Sequence, residues 1–242
     1  MEANKNLRFA YEMIDYSKVD EIVKQIESND LEEFCYVHSS TYYDFDQKKI
    51  LKALSKTTEL KKVSLVKISL TRKEIKYIFK LIHNNKKLKK LDISENYFHD
   101  IDVDEFCNAI KNHPTLEKLD ISYCSFDTKN LYQIVHSLEV NSTLQKLQMD
   151  GNYIGNGHDI IKSFFASKNL YHLSLITNSF NDIDDIINII NSGPSFEKEL
   201  WISFNPDSKY NVFEFVENIL DNCCVKIMKS GMKYYLKITC GE

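Results

Sequence analysis

The stretch Leu88–Asn96, LKKLDISEN, returns in altered form along most of the chain. Its nearest copies are LEKLDISYC from Leu116, LQKLQMDGN from Leu144 and LYHLSLITN from Leu170. Weaker copies are LEEFCYVHS from Leu31, LKKVSLVKI from Leu60 and EKELWISFN from Glu197. The copies start at 31, 60, 88, 116, 144, 170 and 197, so the steps lie between 26 and 29 residues. A period this regular predicts a solenoid of stacked units.

Each unit begins with a strand pattern. The first, fourth and sixth positions are apolar, as in Leu88, Leu91 and Ile93, which predicts that these side chains face a core. The third and fifth positions, such as Lys90 and Asp92, must then face the opposite side of the sheet. Apolar residues at helical spacing follow each strand, so the unit reads as one strand and one helix.

The repeat pattern predicts one domain over residues 1–242. Residues 1–30 are expected to form a helical cap, in which Ser17 is the N-cap residue. About seven repeats are expected in residues 31–222. Residues 223–242 read as a closing strand and hairpin with a turn at Ser230-Gly231, which would cover the edge of the sheet.

Composition argues against several functions. The net charge is −4 and only two arginines are present, Arg8 and Arg72, so we expect no nucleic-acid binding. No apolar run reaches the ~18 residues of a membrane span, and the N-terminus lacks a signal-peptide profile. We therefore expect no membrane insertion and a monomer in the cytoplasm, although secretion into a host cell without an N-terminal signal stays open.

The six cysteines, Cys35, Cys107, Cys124, Cys223, Cys224 and Cys240, form no C-x-x-C pair or spaced framework. Free thiols in a reducing compartment are therefore expected. The seven histidines do not combine with cysteine or acid at metal-ligand spacing, and no hydrolase, kinase or nucleotide-binding motif is present. We expect no metal, no cofactor and no enzymatic activity.

The period near 28 residues, with a full helix after each strand, resembles the ribonuclease-inhibitor-like class of leucine-rich repeats over residues 31–228. The resemblance implies a right-handed α/β coil, with a parallel sheet on the concave face and helices on the convex face. It also implies that the ninth-position side chains turn inward and hydrogen-bond the loop backbone; these are Asn96, Cys124, Asn152, Asn178 and Asn205. Ile68 departs from this pattern in the second repeat, and the seventh repeat is irregular.

Members of this class mostly bind other proteins through the concave face. We therefore expect a non-catalytic interaction module, acting as an adaptor or a secreted effector, whose partner protein the sequence does not identify. The Ran GTPase-activating proteins share the repeat and give one alternative, in which Arg8 or Arg72 would be an arginine finger. A cytoskeletal capping protein is the other alternative.

The predicted binding residues lie mainly in two columns of the concave face. The third positions are Lys62, Lys90, Lys118, Lys146, His172 and Glu199, and the fifth positions are Ser64, Asp92, Asp120, Gln148, Ser174 and Trp201. The lysine and acidic columns either neutralise each other or form a docking strip for a charged partner. Asp150 extends the predicted site, and Tyr97, Tyr123 and Tyr153 are expected to form a row on its rim.

Trp201 is the one tryptophan of the chain. The register of the seventh repeat predicts that it points out of the concave sheet. Its expected neighbours are His172, Ile176, Phe204 and Met228, a mostly apolar set that is typical of a binding hot spot. The alternative is that the C-terminal hairpin folds over Trp201 and buries it.

Overall fold

One sheet and a layer of helices make up the fold. The computed structural model describes residues 5–10, 14–38, 47–71, 73–98, 101, 103–193, 197–204, 212–219, 223–230 and 233–240. Within these residues ten strands form a single sheet in the order β1 to β8, then β10 and β9. The strands are β1 Asn6–Ala10, β2 Glu33–Val37, β3 Lys62–Val66, β4 Lys90–Asp92, β5 Lys118–Asp120, β6 Lys146–Gln148, β7 His172–Leu175, β8 Lys198–Phe204, β9 Cys223–Ser230 and β10 Lys233–Cys240. Strands β1 to β8 are all parallel to one another.

A helix follows each of the strands β1 to β8. The helices are α1 Val19–Glu27, α2 Gln47–Leu54, α3 Ile75–Asn84, α4 Asp104–Lys111, α5 Thr128–Ser137, α6 His158–Ala166, α7 Ile183–Ser192 and α8 Val212–Glu217. Strand and helix alternate because a parallel neighbour requires a crossover, and each helix covers the same side of the sheet. The chain is therefore the α/β solenoid that the repeat predicts. In the described part of the chain, no helix is both long enough and apolar enough to cross a membrane.

The core lies between the sheet and the helices. Leu88, Leu91 and Ile93 are at most 1% exposed, as the strand pattern predicts. The equivalent residues of the neighbouring repeats are buried against them, so each unit is covered on both flanks by its two neighbours. Stability consequently belongs to the stacked array and not to an isolated repeat.

The ninth-position side chains form a ladder of hydrogen bonds. The amide oxygen Oδ1 of Asn96 accepts from the backbone N–H of Ile68 and Leu70, and its Nδ2 donates to three carbonyl oxygens. Asn152 makes the same set of hydrogen bonds, with the backbone N–H of Cys124 and Phe126 as donors. Cys124 occupies the ninth position of the unit between them, and its buried Sγ donates to backbone carbonyl oxygens. The inward orientation is confirmed at these positions, while Asn205 lies outside the described residues.

A second polar ladder lies at the entry to the strands, three residues before the first position of each unit. Its buried members are Thr57, Asn85, His113, Asn141 and Ser167. Nδ1 of His113 accepts from the backbone N–H of Leu116 at 3.0 Å, and Nε2 contacts the carbonyl oxygen of Asn85 at 3.0 Å. Burial lowers the pKa of His113 and so favours the neutral ring, in which Nδ1 can accept a hydrogen bond.

The N-terminal cap differs from the prediction. A helix is present at Val19–Glu27, but the strand β1 precedes it and pairs in parallel with β2. Leu7 and Phe9 pack against the core, so this segment continues the sheet by one strand. Ser17 is not the N-cap residue, because a short 3-10 turn at Tyr16–Lys18 leads into the helix.

The C-terminal hairpin is present. Strand β10 pairs antiparallel with β8, and β9 pairs antiparallel with the far side of β10. The hairpin therefore covers the edge of β8 and extends the sheet instead of folding across it. Cys223 and Cys240 face each other on the two strands and form a disulfide, so the expectation that all six cysteines are free thiols is wrong for this pair.

Candidate functional site

The lysine row consists of Lys62, Lys90, Lys118 and Lys146, which occupy the third positions of four successive parallel strands. Each pairs in register with the next. The same register continues from Lys146 to His172 and then to Glu199. Because adjacent strands are ~4.8 Å apart, the four lysine Cα atoms form a nearly straight line across the concave face.

Ion pairing distinguishes the lysine row from the lysines beside it. At the second position of the repeat, Lys61 binds Glu32 at 2.7 Å and Lys89 binds Glu117 at 3.1 Å. Among the residues that the structure describes, no carboxylate forms an ion pair with a lysine of the row. Lys146 instead lies over the ring of Tyr171, 5.8 Å from its centroid. The row is therefore a line of positive charge without direct neutralisation.

The aspartate group, Asp92, Asp120 and Asp150, lies beside the lysine row at the carboxyl ends of the strands. Asp92 accepts hydrogen bonds from the backbone N–H and the hydroxyl of Ser94. Asp120 accepts from the backbone N–H of Ser122 at 2.9 Å. These carboxylates accept hydrogen bonds from the loops that follow their own strands. The described contacts contain no direct ion pair between a lysine of the row and an aspartate, which mutual neutralisation would favour.

Asp150 connects two repeats. Its Oδ1 accepts from the hydroxyl of Ser174 at 2.5 Å and from the backbone N–H of Ile176 at 2.8 Å. Burial raises the pKa of Asp150 and of Asp120, and the charges of Asp92 and Asp150 raise the pKa of Asp120 further. The aspartate group is therefore a partly desolvated centre of negative charge, while Gln148 between these residues is exposed and neutral.

Trp201 lies on the concave face, partly buried, and its surroundings are charged. Its indole Nε1 donates to Oε1 of Glu199 at 2.6 Å. Lys237 on β10 places Nζ 5.6 Å from the indole centroid and forms an ion pair with Glu199 at 2.5 Å. The His172 ring lies 6.4 Å away, with Nδ1 2.8 Å from Oε1 of Glu199. The predicted apolar environment is therefore wrong, although the outward orientation is correct.

Glu199 is the centre of this cluster. Burial alone would raise the pKa of its carboxyl group, but hydrogen bonds from Lys237, Trp201 and His172 outweigh burial and hold the pKa at about 2. Burial lowers the pKa of His172, even though Glu199 acts in the opposite direction. At neutral pH the cluster therefore contains an ionised Glu199 and a predominantly neutral His172.

The other predicted neighbours of Trp201 are Met228, Ile176 and Phe204. Met228 lies on β9, beyond the intervening strand β10, in the register of Tyr235 and not of Lys237. Ile176 is partly buried and donates its backbone N–H to Asp150. Phe204 is the last residue of β8, and its side chain lies outside what the structure describes. The alternative in which the hairpin folds over Trp201 does not hold, because β10 lies beside β8.

The tyrosines on the rim are exposed but do not form one row. Tyr97 and Tyr153 are 64% and 67% exposed and share the tenth repeat position. Tyr123 occupies the eighth position, where the backbone is left-handed in successive repeats; the φ values are 56° at Lys67, 55° at Glu95, 54° at Tyr123, 60° at Gly151 and 61° at Thr177. The ring of Tyr123 lies so close to Gly151 that a Cβ there would be 2.2 Å from a ring carbon.

Of the two arginines that the GTPase-activating alternative would use, the structure describes Arg8. Arg8 donates to the carboxylate of Glu33 on the neighbouring strand, and Arg72 lies outside the described residues. Burial raises the pKa of the Cys124 thiol well above its usual range, which disfavours a nucleophilic thiolate.

Comparisons with known proteins found one family model and several solved structures that are similar to parts of this chain. The Leucine Rich Repeat family model matches residues 87–109. No curated protein sequence matches the chain. Among solved structures, the tropomodulin C-terminal domain of Caenorhabditis elegans is 14% identical, with a TM-score of 0.42 and coverage of 71% of this chain and 89% of that chain.

Two further solved structures show a similar level of likeness. Internalin C2 of Listeria monocytogenes is 15% identical, with a TM-score of 0.45 and coverage of 76% of each chain. The actin-binding site 2 of leiomodin-1 is 11% identical, with a TM-score of 0.40 and coverage of 82% of this chain and 83% of that chain. In its internal repeat and its alternation of strand and helix, the chain is similar to leucine-rich-repeat proteins, and the family model matches one of the repeats.

Proposed function

We propose that the protein is a non-catalytic module that binds a partner protein through its concave face. The observation that carries this proposal is the lysine row, whose members align in register and form no ion pair with the described carboxylates. Other lysines close to the row, such as Lys61 and Lys89, are paired within the chain. A partner with complementary negative charge would supply the missing counter-charges.

The energetics favour this interpretation. Two unit charges about 4 Å apart in water repel each other by roughly 1 kcal/mol, and the repulsion grows when a partner excludes the solvent. A line of like charges is therefore mildly unfavourable in the free protein. Opposite charges on a partner remove this repulsion and accelerate association, with strong dependence on salt.

The test compares two triple variants with the same change in net charge. The face variant carries Lys90→Glu, Lys118→Glu and Lys146→Glu. The control variant carries substitutions to glutamate at exposed helix lysines, namely Lys80, Lys111 and Lys129. Affinity capture from the native cell, followed by association kinetics over a salt series, compares both variants with the wild type.

We expect the face variant to lose a partner that the wild type and the control variant retain. Both variants should keep a free energy of unfolding within about 1 kcal/mol of the wild type, because exposed charges contribute little to stability. Retention of the same partners by the face variant would disprove a role for the lysine row. An equal loss in both variants would show that only net charge matters and would also disprove it.

A further inference from the structure

The geometry of the lysine row restricts the kind of partner segment that fits it, if the proposed function holds. Four lysines at a spacing of ~4.8 Å extend over about 14 Å between the first and last Cα atoms. Acidic residues at positions i, i+4, i+7 and i+11 of an α-helix extend over about 16 Å. The difference of about 2 Å is small compared with the reach of four flexible lysine side chains.

An extended partner strand fits less well. Alternate side chains of a strand that point in one direction are about 6.7 Å apart, so four of them extend over about 20 Å. The mismatch with the lysine row is then about 6 Å, and it increases with each repeat. One acidic residue per helical turn therefore matches one lysine per repeat, while an extended acidic segment loses register.

The aspartate group limits where an acidic helix can lie. Asp92 and Asp120 lie two residues further along the same strands as Lys90 and Lys118, about 6.7 Å away on the same face. A glutamate that faces the lysine row is attracted, and one that faces the aspartate group is repelled. The helix must therefore present its acidic flank to the strand entry and a basic or amide flank to the strand exit.

The row also has a defined end. After Lys146 the register continues to His172 and then to Glu199, whose charge is paired with that of Lys237. Trp201 lies next to this ion pair, with its indole partly exposed. Acidic residues beyond the fourth turn would meet His172 and then the ion pair of Glu199 with Lys237 instead of another lysine of the row, so the acidic flank should end there and an apolar side chain can contact the indole ring.

We propose that the concave face binds a partner α-helix of about four turns, with one acidic residue per turn on one flank and basic or amide residues on the other. Complementary charge at matching spacing is the recognition chemistry. The helix runs across the strands, along the line of the lysine row.

Two designed, fluorescein-labelled helical peptides of identical composition test this proposal. In the striped peptide, four glutamates occupy positions i, i+4, i+7 and i+11, and in the scrambled peptide the same glutamates are distributed around the helix. Circular dichroism must show equal helicity. Fluorescence anisotropy at low ionic strength then measures the dissociation constants for the wild type, the face variant and the control variant.

We expect the striped peptide to bind at least about tenfold more tightly than the scrambled peptide to the wild type and the control variant, a difference of ~1.4 kcal/mol. The face variant should lose this preference. Equal binding of both peptides, a preference that survives in the face variant, or no binding up to about 1 mM peptide would each overturn the proposal. Tighter binding of a single-stranded oligonucleotide would overturn it in favour of a phosphate-backbone partner.

The failure of this inference is distinguishable from the failure of the proposed function. If the face variant loses its cellular partner but the two peptides bind equally, the concave face is a binding surface for a segment of another conformation. If the face variant keeps its cellular partner, the proposed function itself is wrong.

Discussion

Replacement of Asn96 by alanine should destabilise the protein far more than replacement of Asn178, although both occupy the ninth repeat position and both are buried. Oδ1 of Asn96 accepts from the backbone N–H of Ile68 at 3.2 Å and from that of Leu70 at 3.3 Å. Alanine leaves both buried N–H groups without this acceptor. An unsatisfied buried donor costs about 1–3 kcal/mol, so the pair accounts for roughly 4 kcal/mol.

Asn178 is a matched control. Its Nδ2 donates to the carbonyl oxygens of Met149 and Ile176, but its Oδ1 accepts no hydrogen bond within the described part of the chain. Asn178→Ala therefore deletes the same atoms and leaves no N–H donor unsatisfied by its loss. The carbonyl oxygens of Met149 and Ile176 lose one donor each, which costs less than an unsatisfied N–H group because an oxygen has a second lone pair. We therefore expect Asn178→Ala to lower the free energy of unfolding by about 1 kcal/mol.

Urea unfolding followed by far-ultraviolet circular dichroism measures both values. The free energies of unfolding come from linear extrapolation, and an unchanged m-value shows that the same structure unfolds in each variant. A difference between the two variants of about 3 kcal/mol is expected. Costs that agree within about 1 kcal/mol would refute the argument that the acceptor bonds of Oδ1 dominate the contribution of this position.

Three further predictions concern the concave face and its rim. Gly151→Ala should cost about 1–2 kcal/mol in urea unfolding because φ is 60° there, and part of this cost should disappear in a Tyr123→Ala background, where the ring is absent. The pKa of His172 is lower in the folded protein than the 6.5 of the free side chain, so the folded protein loses stability as the pH falls from 6.5 towards the native pKa. His172→Gln removes this contribution, and the melting temperature of the variant should therefore fall less below pH 6.5 than that of the wild type. Acrylamide should quench Trp201 in the free protein, and Lys237→Ala should increase this quenching because Nζ no longer covers the ring; emission that acrylamide cannot quench would place Trp201 in the core.

The repeats were predictable because their inward residues are chemically uniform. Leu88 and its equivalents are large and apolar, and Asn96 and its equivalents are mostly asparagine, so the period is visible in the letters. The second ladder was not predicted, since three different residue types accept from first-position backbone N–H groups: His113 and Ser167 from that of their own unit, and Asn85 from that of the preceding unit. A shared hydrogen-bonding role does not require a shared side chain, and the periodic signal is lost.

Two other differences have a similar cause. Strand β1 carries Leu7 and Phe9 at the inward positions. The first position of this unit is Asn4, whereas the other units begin with an apolar residue or with Glu197. Two apolar residues alone are too few to identify a repeat in the sequence. The charged surroundings of Trp201 depend on Lys237, which is distant in the sequence and arrives through the pairing of β10 with β8. Contacts that depend on the docking of a separate element cannot be read from the period of the repeat.

The lysine row ends at Lys146, because the next residue in its register is His172. Its lowered pKa keeps this ring predominantly neutral at neutral pH, so the positive charge ends at Lys146 and does not continue into the next repeat. Glu199, one strand further along, is ionised with a pKa of about 2, and its ion pair with Lys237 offsets its charge. The concave face is therefore positive along the lysine row and negative along the aspartate group beside it. A partner with a single acidic flank can satisfy this distribution in one direction along the solenoid, because reversal of the helix places its basic or amide flank over the lysine row.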